Sequence, residues 1–264
     1  MSWSTHVCAV VVAIAVLSVQ KAIWDSSPID PVVYSLPELP SLPAQGDATM
    51  HSLEDAEIWL DGKVRGAEHI DFRCEHQRCH AYAGLADGSI VRFDPATGPL
   101  GEVEVLNGTW ALSHGSSPSF QKKCGDVDLG ELCGRPLGLK VAPDGKRLVI
   151  ADAYLGLLAM DLASRELSVL ADEYIGRDGA VRKVNMANSL VISREGSVFF
   201  TLTSPRFSLK NLMLEFAQGR ANGLLLSIPH YTTPGIATIV ADGLVKCLSV
   251  VKRRVTYACV PAPV

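Results

Sequence analysis

From about residue 52 onward, short apolar runs alternate with turn residues, and their period is that of strands. Within residues 133–162 two runs, Leu137-Gly138-Leu139-Lys140-Val141 and Leu148-Val149-Ile150-Ala151, are joined by Pro143-Asp144-Gly145. That tripeptide is a hairpin signal, because glycine takes the positive φ such a turn requires. Residues 156–162 predict a third strand and residues 167–170 a fourth. Four short antiparallel strands in about forty residues make one propeller blade.

The unit recurs. Inner hairpins are predicted at 70–72 with 79–84, at 139–141 with 148–152, at 190–192 with 198–201, and at 248–250 with 255–258. Glu195-Gly196 turns the third and Lys252-Arg253 the fourth. Their starts lie roughly fifty to seventy residues apart, a blade period with loop insertions. Residues 88–94 and 223–227 read as outer strands, and residues 211–218 as the best helix candidate outside the amino terminus. The predicted fold is all-β: a propeller over residues 52–264, with about three and a half blades present.

Two segments precede it. Residues 7–19 are an apolar run of thirteen broken only by Ser18 and closed by Gln20-Lys21. That is short of the about 20 residues a bilayer-spanning helix needs, so residues 1–24 predict a leader helix serving as a signal peptide or signal anchor. Ala22-Ile23-Trp24 would lengthen it toward an anchor with an interfacial tryptophan. Residues 25–51 are proline-rich and aperiodic and predict a stalk. The protein is therefore expected in the secretory pathway, either membrane-anchored with a lumenal or extracellular domain, or secreted or vacuolar.

Composition narrows the function. The 24 lysines and arginines among 264 residues are scattered and the net charge is -4, which gives no basic stripe for nucleic acid. Cys8 lies in the leader, and Cys74, Cys79, Cys124, Cys133, Cys247 and Cys259 follow. Six cysteines permit three disulfides in an oxidising lumen, most simply between close neighbours. Their spacings do not match the short recurring pairs of a zinc site. Asn107-Gly108-Thr109 is a glycosylation sequon. The sequence has neither an H-E-x-x-H zinc motif nor a G-x-S-x-G nucleophile elbow, and no catalytic residue is assigned.

Cys133-Gly134-Arg135-Pro136-Leu137-Gly138 followed by Ala151-Asp152-Ala153-Tyr154-Leu155-Gly156-Leu157 resembles the strictosidine synthase-like family. The resemblance covers about residues 55–258 and implies a six-bladed propeller related to paraoxonases and gluconolactonases. It implies a disulfide between Cys124 and Cys133. It also implies a calcium ion in the channel that polarises the carbonyl of an ester or lactone, with Glu68 and Asn188 as candidate ligands. His69, beside Glu68, is a candidate channel base or an ordinary loop histidine.

Several positions depart from the family pattern. Ser189 and Leu202 stand where acidic residues are expected, and residues 244–249 lack an expected asparagine and carry Lys246. The chain stops at Val264, so the resemblance reads it as a fragment, as a chain completed by missing blades or a second chain, or as a degenerate paralogue. Two functions follow as expectations: a calcium-assisted, arylesterase-like ester or lactone hydrolase, or a non-catalytic membrane-associated or lumenal binding scaffold. Strictosidine synthase-type condensation would need a glutamate in blades beyond residue 264.

Overall fold

A computed structural model describes residues 12–21, 26–32, 56–114 and 118–245, together with 250–251, 256–257 and 260–261. The first sheet contains β1 (Ile70–Glu75), β2 (Arg78–Gly84), β3 (Ser89–Phe93) and β4 (Val103–Gly108), antiparallel in that order. The second repeats the order with β5 (Pro136–Val141), β6 (Arg147–Asp152), β7 (Gly156–Asp161) and β8 (Leu167–Ala171). Next come a small hairpin, β9 (Glu173–Ile175) with β10 (Val181–Lys183), and the third blade: β11 (Ala187–Ile192), β12 (Val198–Leu202), β13 (Gly223–Ile228) and β14 (Ala237–Val245). β15 (Val250–Val251) pairs with β16 (Thr256–Tyr257), and β17 (Val260–Pro261) pairs with β14.

This is the predicted succession of three blades and the first hairpin of a fourth. The small hairpin was not predicted. β9 lies parallel to β14 and extends the third sheet at its outer edge. Its strands are three residues each, too short to leave a period in the sequence.

The middle blade explains why its strands read as continuous apolar runs rather than alternating ones. One face of it (Leu139, Leu148, Ile150, Leu158 and Met160) packs on Tyr82, Ile90 and Leu106 of the first blade. The other face (Val149, Ala151, Leu157 and Ala159) packs on Leu190, Phe200 and Leu226 of the third. A sheet covered on both faces has no polar side to alternate with. The first blade has one covered face. On its other face Ile70, Phe72 and Val105 are 43%, 54% and 47% exposed, while Val64 and Ala67 cover only its middle.

Both close-neighbour disulfides form where they can be seen. Cys74 and Cys79 face each other across β1 and β2, and Cys124 joins Cys133. Cys8, Cys247 and Cys259 lie outside the described residues. The leader appears as a helix over residues 12–21, with its apolar side chains exposed. No helix among the described residues is long and apolar enough to cross a membrane. Part of the predicted stalk is docked: Val32 N–H donates to the Gln218 carbonyl at 2.9 Å, and Arg220 pairs with Asp30.

Candidate functional site

The innermost strands β1, β5 and β11 follow one another around the channel, and all three start at the same end. Glu68 and His69 immediately precede β1, Arg135 immediately precedes β5, and Asn188 is the second residue of β11. Asn188 lies within its strand rather than ahead of it, at a register shift between Ala187 and Leu190.

The two motifs at residues 133–138 and 151–157 form one hydrogen-bonded unit. β6 ends on Asp152, whose side chain is fully buried. Its Oδ2 accepts the Arg135 N–H at 2.8 Å, and its Oδ1 accepts the N–H groups of Tyr154 at 2.9 Å and Leu155 at 3.0 Å. Burial pushes the Asp152 carboxyl above the usual range, opposed by these three N–H groups and the Thr109 hydroxyl. The Thr109 hydroxyl oxygen lies 2.8 Å from the Cys133 carbonyl, a second acceptor for its single hydrogen. Tyr154 packs so closely on Gly130 that a Cβ there would lie 2.2 Å from the ring. Cys133-Gly134-Arg135 is thus fixed on one side by a disulfide and on the other by a buried carboxylate.

The fixed loop aims Arg135 across the blade boundary. Its Nη2 donates to the Gly66 carbonyl at 2.7 Å and lies 3.5 Å from Glu68 Oε1. The guanidinium is 12% exposed and the carboxylate 50%, so the pair closes the first blade onto the second at the edge of solvent. Nothing in the linear sequence pointed to this pairing.

The next two side chains toward the channel also serve the blade junction. His69 Nδ1 accepts the Leu139 N–H at 3.1 Å, and Asp71 Oδ2 accepts the Val141 N–H at 2.7 Å. Asp71 also pairs with Lys140. An inner strand has no neighbour on its channel side, so its outward N–H groups need other acceptors. His69 and Asp71 supply them to β5, so His69 Nδ1 is occupied at the blade junction.

His69 makes the junction pH-dependent. Burial holds its pKa below the ordinary value of 6.5; Asp71 acts to raise it, and Lys140 to lower it. The neutral ring accepts from Leu139 N–H, and protonation of Nδ1 removes that acceptor. A depressed histidine pKa stabilises the fold above the unfolded value and loses that contribution as pH falls through the folded value. Thermal melting of the wild-type chain is therefore expected to fall between pH 7 and pH 5. His69→Asn, which does not titrate there, is expected to remove part of that slope.

A calcium ion wants six to eight oxygen ligands. Here Glu68 is engaged by Arg135, Asp71 by Lys140 and Val141, and Asp152 by three backbone N–H groups. No group of three or more histidine, cysteine, aspartate or glutamate side chains gathers around a common point among the described residues. Among the described residues, the acidic side chains at this end are already paired with protein donors, which does not fit a calcium site. The predicted sequon is placed at the end of β4, where Asn107 Nδ2 donates to the Arg165 carbonyl at 2.7 Å.

Blade order, repeated inner strands and an axial end lined by inter-blade contacts define a β-propeller. Protein STRICTOSIDINE SYNTHASE-LIKE 13 of Arabidopsis thaliana is 35% identical over 186 residues, 69% of this chain and 43% of that protein. The adipocyte plasma membrane-associated protein of Rattus norvegicus is 29% identical over 207 residues, 78% of this chain and 49% of that one. The chain belongs to the strictosidine synthase-like family. It spans less than half the length of these two relatives. No protein-family profile matches it. Among solved structures, the Myceliophteria thermophila Cps50 (Swd1) β-propeller domain aligns with a TM-score of 0.34 at 13% identity, over 62% of this chain and 42% of that one. That likeness is too loose to add to the fold assignment.

Proposed function

We propose that this chain is a membrane-associated, secretory-pathway member of the family whose channel end binds and positions a ligand without holding calcium. The observation that carries this reading is the Arg135–Glu68 contact: the carboxylate expected to bind the metal faces the guanidinium of Arg135, which donates to the Gly66 carbonyl and whose backbone N–H is held by Asp152. A cation approaching Glu68 would be repelled by Arg135, and the other acidic side chains nearby are already engaged. Membrane association is supported by the apolar leader and by the similarity to the rat adipocyte plasma membrane-associated protein.

A second reading, calcium-assisted hydrolysis of an ester or lactone, is favoured by Glu68 and Asn188 standing at one end of the channel wall. It requires Glu68 to leave Arg135. Aryl-ester and lactone turnover by the purified full chain, with calcium or with a chelator, separates the two. The binding reading expects no calcium-dependent turnover. Calcium-dependent turnover that disappears in Glu68→Ala would establish the hydrolase instead.

A further inference from the structure

We propose that residues 26–32 orient the propeller on a lipid bilayer, so that the end carrying Glu68 and Arg135 faces the membrane surface. This rests on the membrane association proposed above. Residues 26–32 are joined to the loop between β12 and β13, residues 203–222. Val32 N–H donates to the Gln218 carbonyl at 2.9 Å, Arg220 Nε donates to the Asp30 carbonyl at 2.6 Å, and the Arg220 guanidinium pairs with the Asp30 carboxylate.

The docking point is rigid. Glu215 is buried and accepts from Ser204 Oγ at 2.5 Å, from Asn222 Nδ2 at 2.9 Å and from Gln218 Nε2 at 3.2 Å. The same loop is seated on the second blade, where Leu209 and Leu212 pack with Leu137, Tyr154 and Met186. Because β6 and β12 end where β1, β5 and β11 begin, this loop lies at the Glu68–Arg135 end.

Chain length turns the dock into an orientation. The apolar helix ends at residue 21, and Asp30 is nine residues later. Fully extended, those residues reach about 30 Å. The opposite end of the propeller lies a further strand length away, roughly 20 Å for six residues. A helix buried in lipid therefore favours the docked end lying close and the far end outward, since the reverse orientation would stretch the linker over about two thirds of its full reach. The far end carries a rival apolar patch of Ile58, Trp59 and Leu100, brought together by the Leu60 N–H to Pro99 carbonyl bond. The orientation can therefore be tested by comparing the two ends directly.

The test is to bind the full chain to phosphatidylcholine vesicles containing a headgroup-photoactivatable phosphatidylcholine, and to map the adducts. The expected result is an excess of adducts on residues 126–135 and 204–222 over residues 94–102, 142–147 and 193–197. Arg220→Glu should reduce that excess roughly threefold, the scale of one exposed ion pair, with the vesicle-bound amount unchanged. Asp30→Arg combined with Arg220→Glu should restore it. Adducts spread evenly, concentrated at the far end, or unchanged in Arg220→Glu would overturn the orientation and leave membrane association standing. Failure to bind vesicles, or recovery of a mature chain without its leader, would overturn both.

Discussion

Asp152→Ala is expected to lower stability by roughly 3–5 kcal/mol, because it leaves three backbone N–H groups without their acceptor at about 1–3 kcal/mol each. The three donors belong to Arg135, Tyr154 and Leu155, and the site they share is fully buried. Small rearrangements and water entry keep the total below the simple sum. Against a domain stability of about 5–15 kcal/mol, such a loss brings the chain close to unfolding. Asp152→Asn should cost less. Its carbonyl oxygen can still accept from Tyr154 and Leu155, while its amide would confront the Arg135 N–H. Denaturant midpoints of the three proteins check the order wild type, Asn, Ala. A near-wild-type midpoint for Asp152→Ala would remove Asp152 as the organiser of the Arg135 loop.

Gly138→Ala is expected to cost about 3 kcal/mol, the upper range for forcing an extra carbon into a packed interior. A Cβ at Gly138 would lie 2.4 Å from the Asn188 carbonyl oxygen and 2.9 Å from the Ser189 Cα. Both are backbone atoms of β11, so no side chain can rotate away. The second and third blades must separate at their inner strands, and Asn188 must move with them. Gly235→Ala is the matched control, since a Cβ there meets nothing within 4 Å. Its effect should be within about 1 kcal/mol and can be stabilising, through the reduced freedom of the unfolded chain. Thermal or urea unfolding of both variants gives the comparison.

These two positions show what the sequence carries. Gly138 and Asp152 sit inside the motif pair from which the family was recognised, and each has a local signature: a glycine interrupting a strand and an aspartate closing one. The hairpin turns were legible for the same reason, because Asp144-Gly145 and Glu195-Gly196 encode their backbone within a few residues. The two short-range disulfides were also local. What the sequence hid is contact between segments far apart in the chain. Arg135 meets Glu68 across 67 positions, Lys140 meets Asp71 across 69, and Arg220 meets Asp30 across 190. Each pair joins ordinary surface residue types, and no periodicity or spacing links them.

Those hidden contacts also changed the candidate site. Read along the chain, Glu68 was a metal ligand and His69 a possible base. In three dimensions both face the second blade, and together with Asp71 they satisfy groups on Arg135 and β5. The substitutions at Ser189 and Leu202 fit the same picture, since neither restores an acidic group at this end of the channel.

The most direct test of this account is thermal melting of the purified full chain across a calcium titration from chelator to millimolar ion. A site filled to a hundredfold excess over its dissociation constant would add about 2.7 kcal/mol. For a chain of this size that is roughly 5–10 °C in melting temperature. With Glu68 held by Arg135, the melting temperature is predicted to stay constant throughout the titration. A saturable rise of several degrees that disappears in Glu68→Ala would contradict the account and return Glu68 to the role of metal ligand.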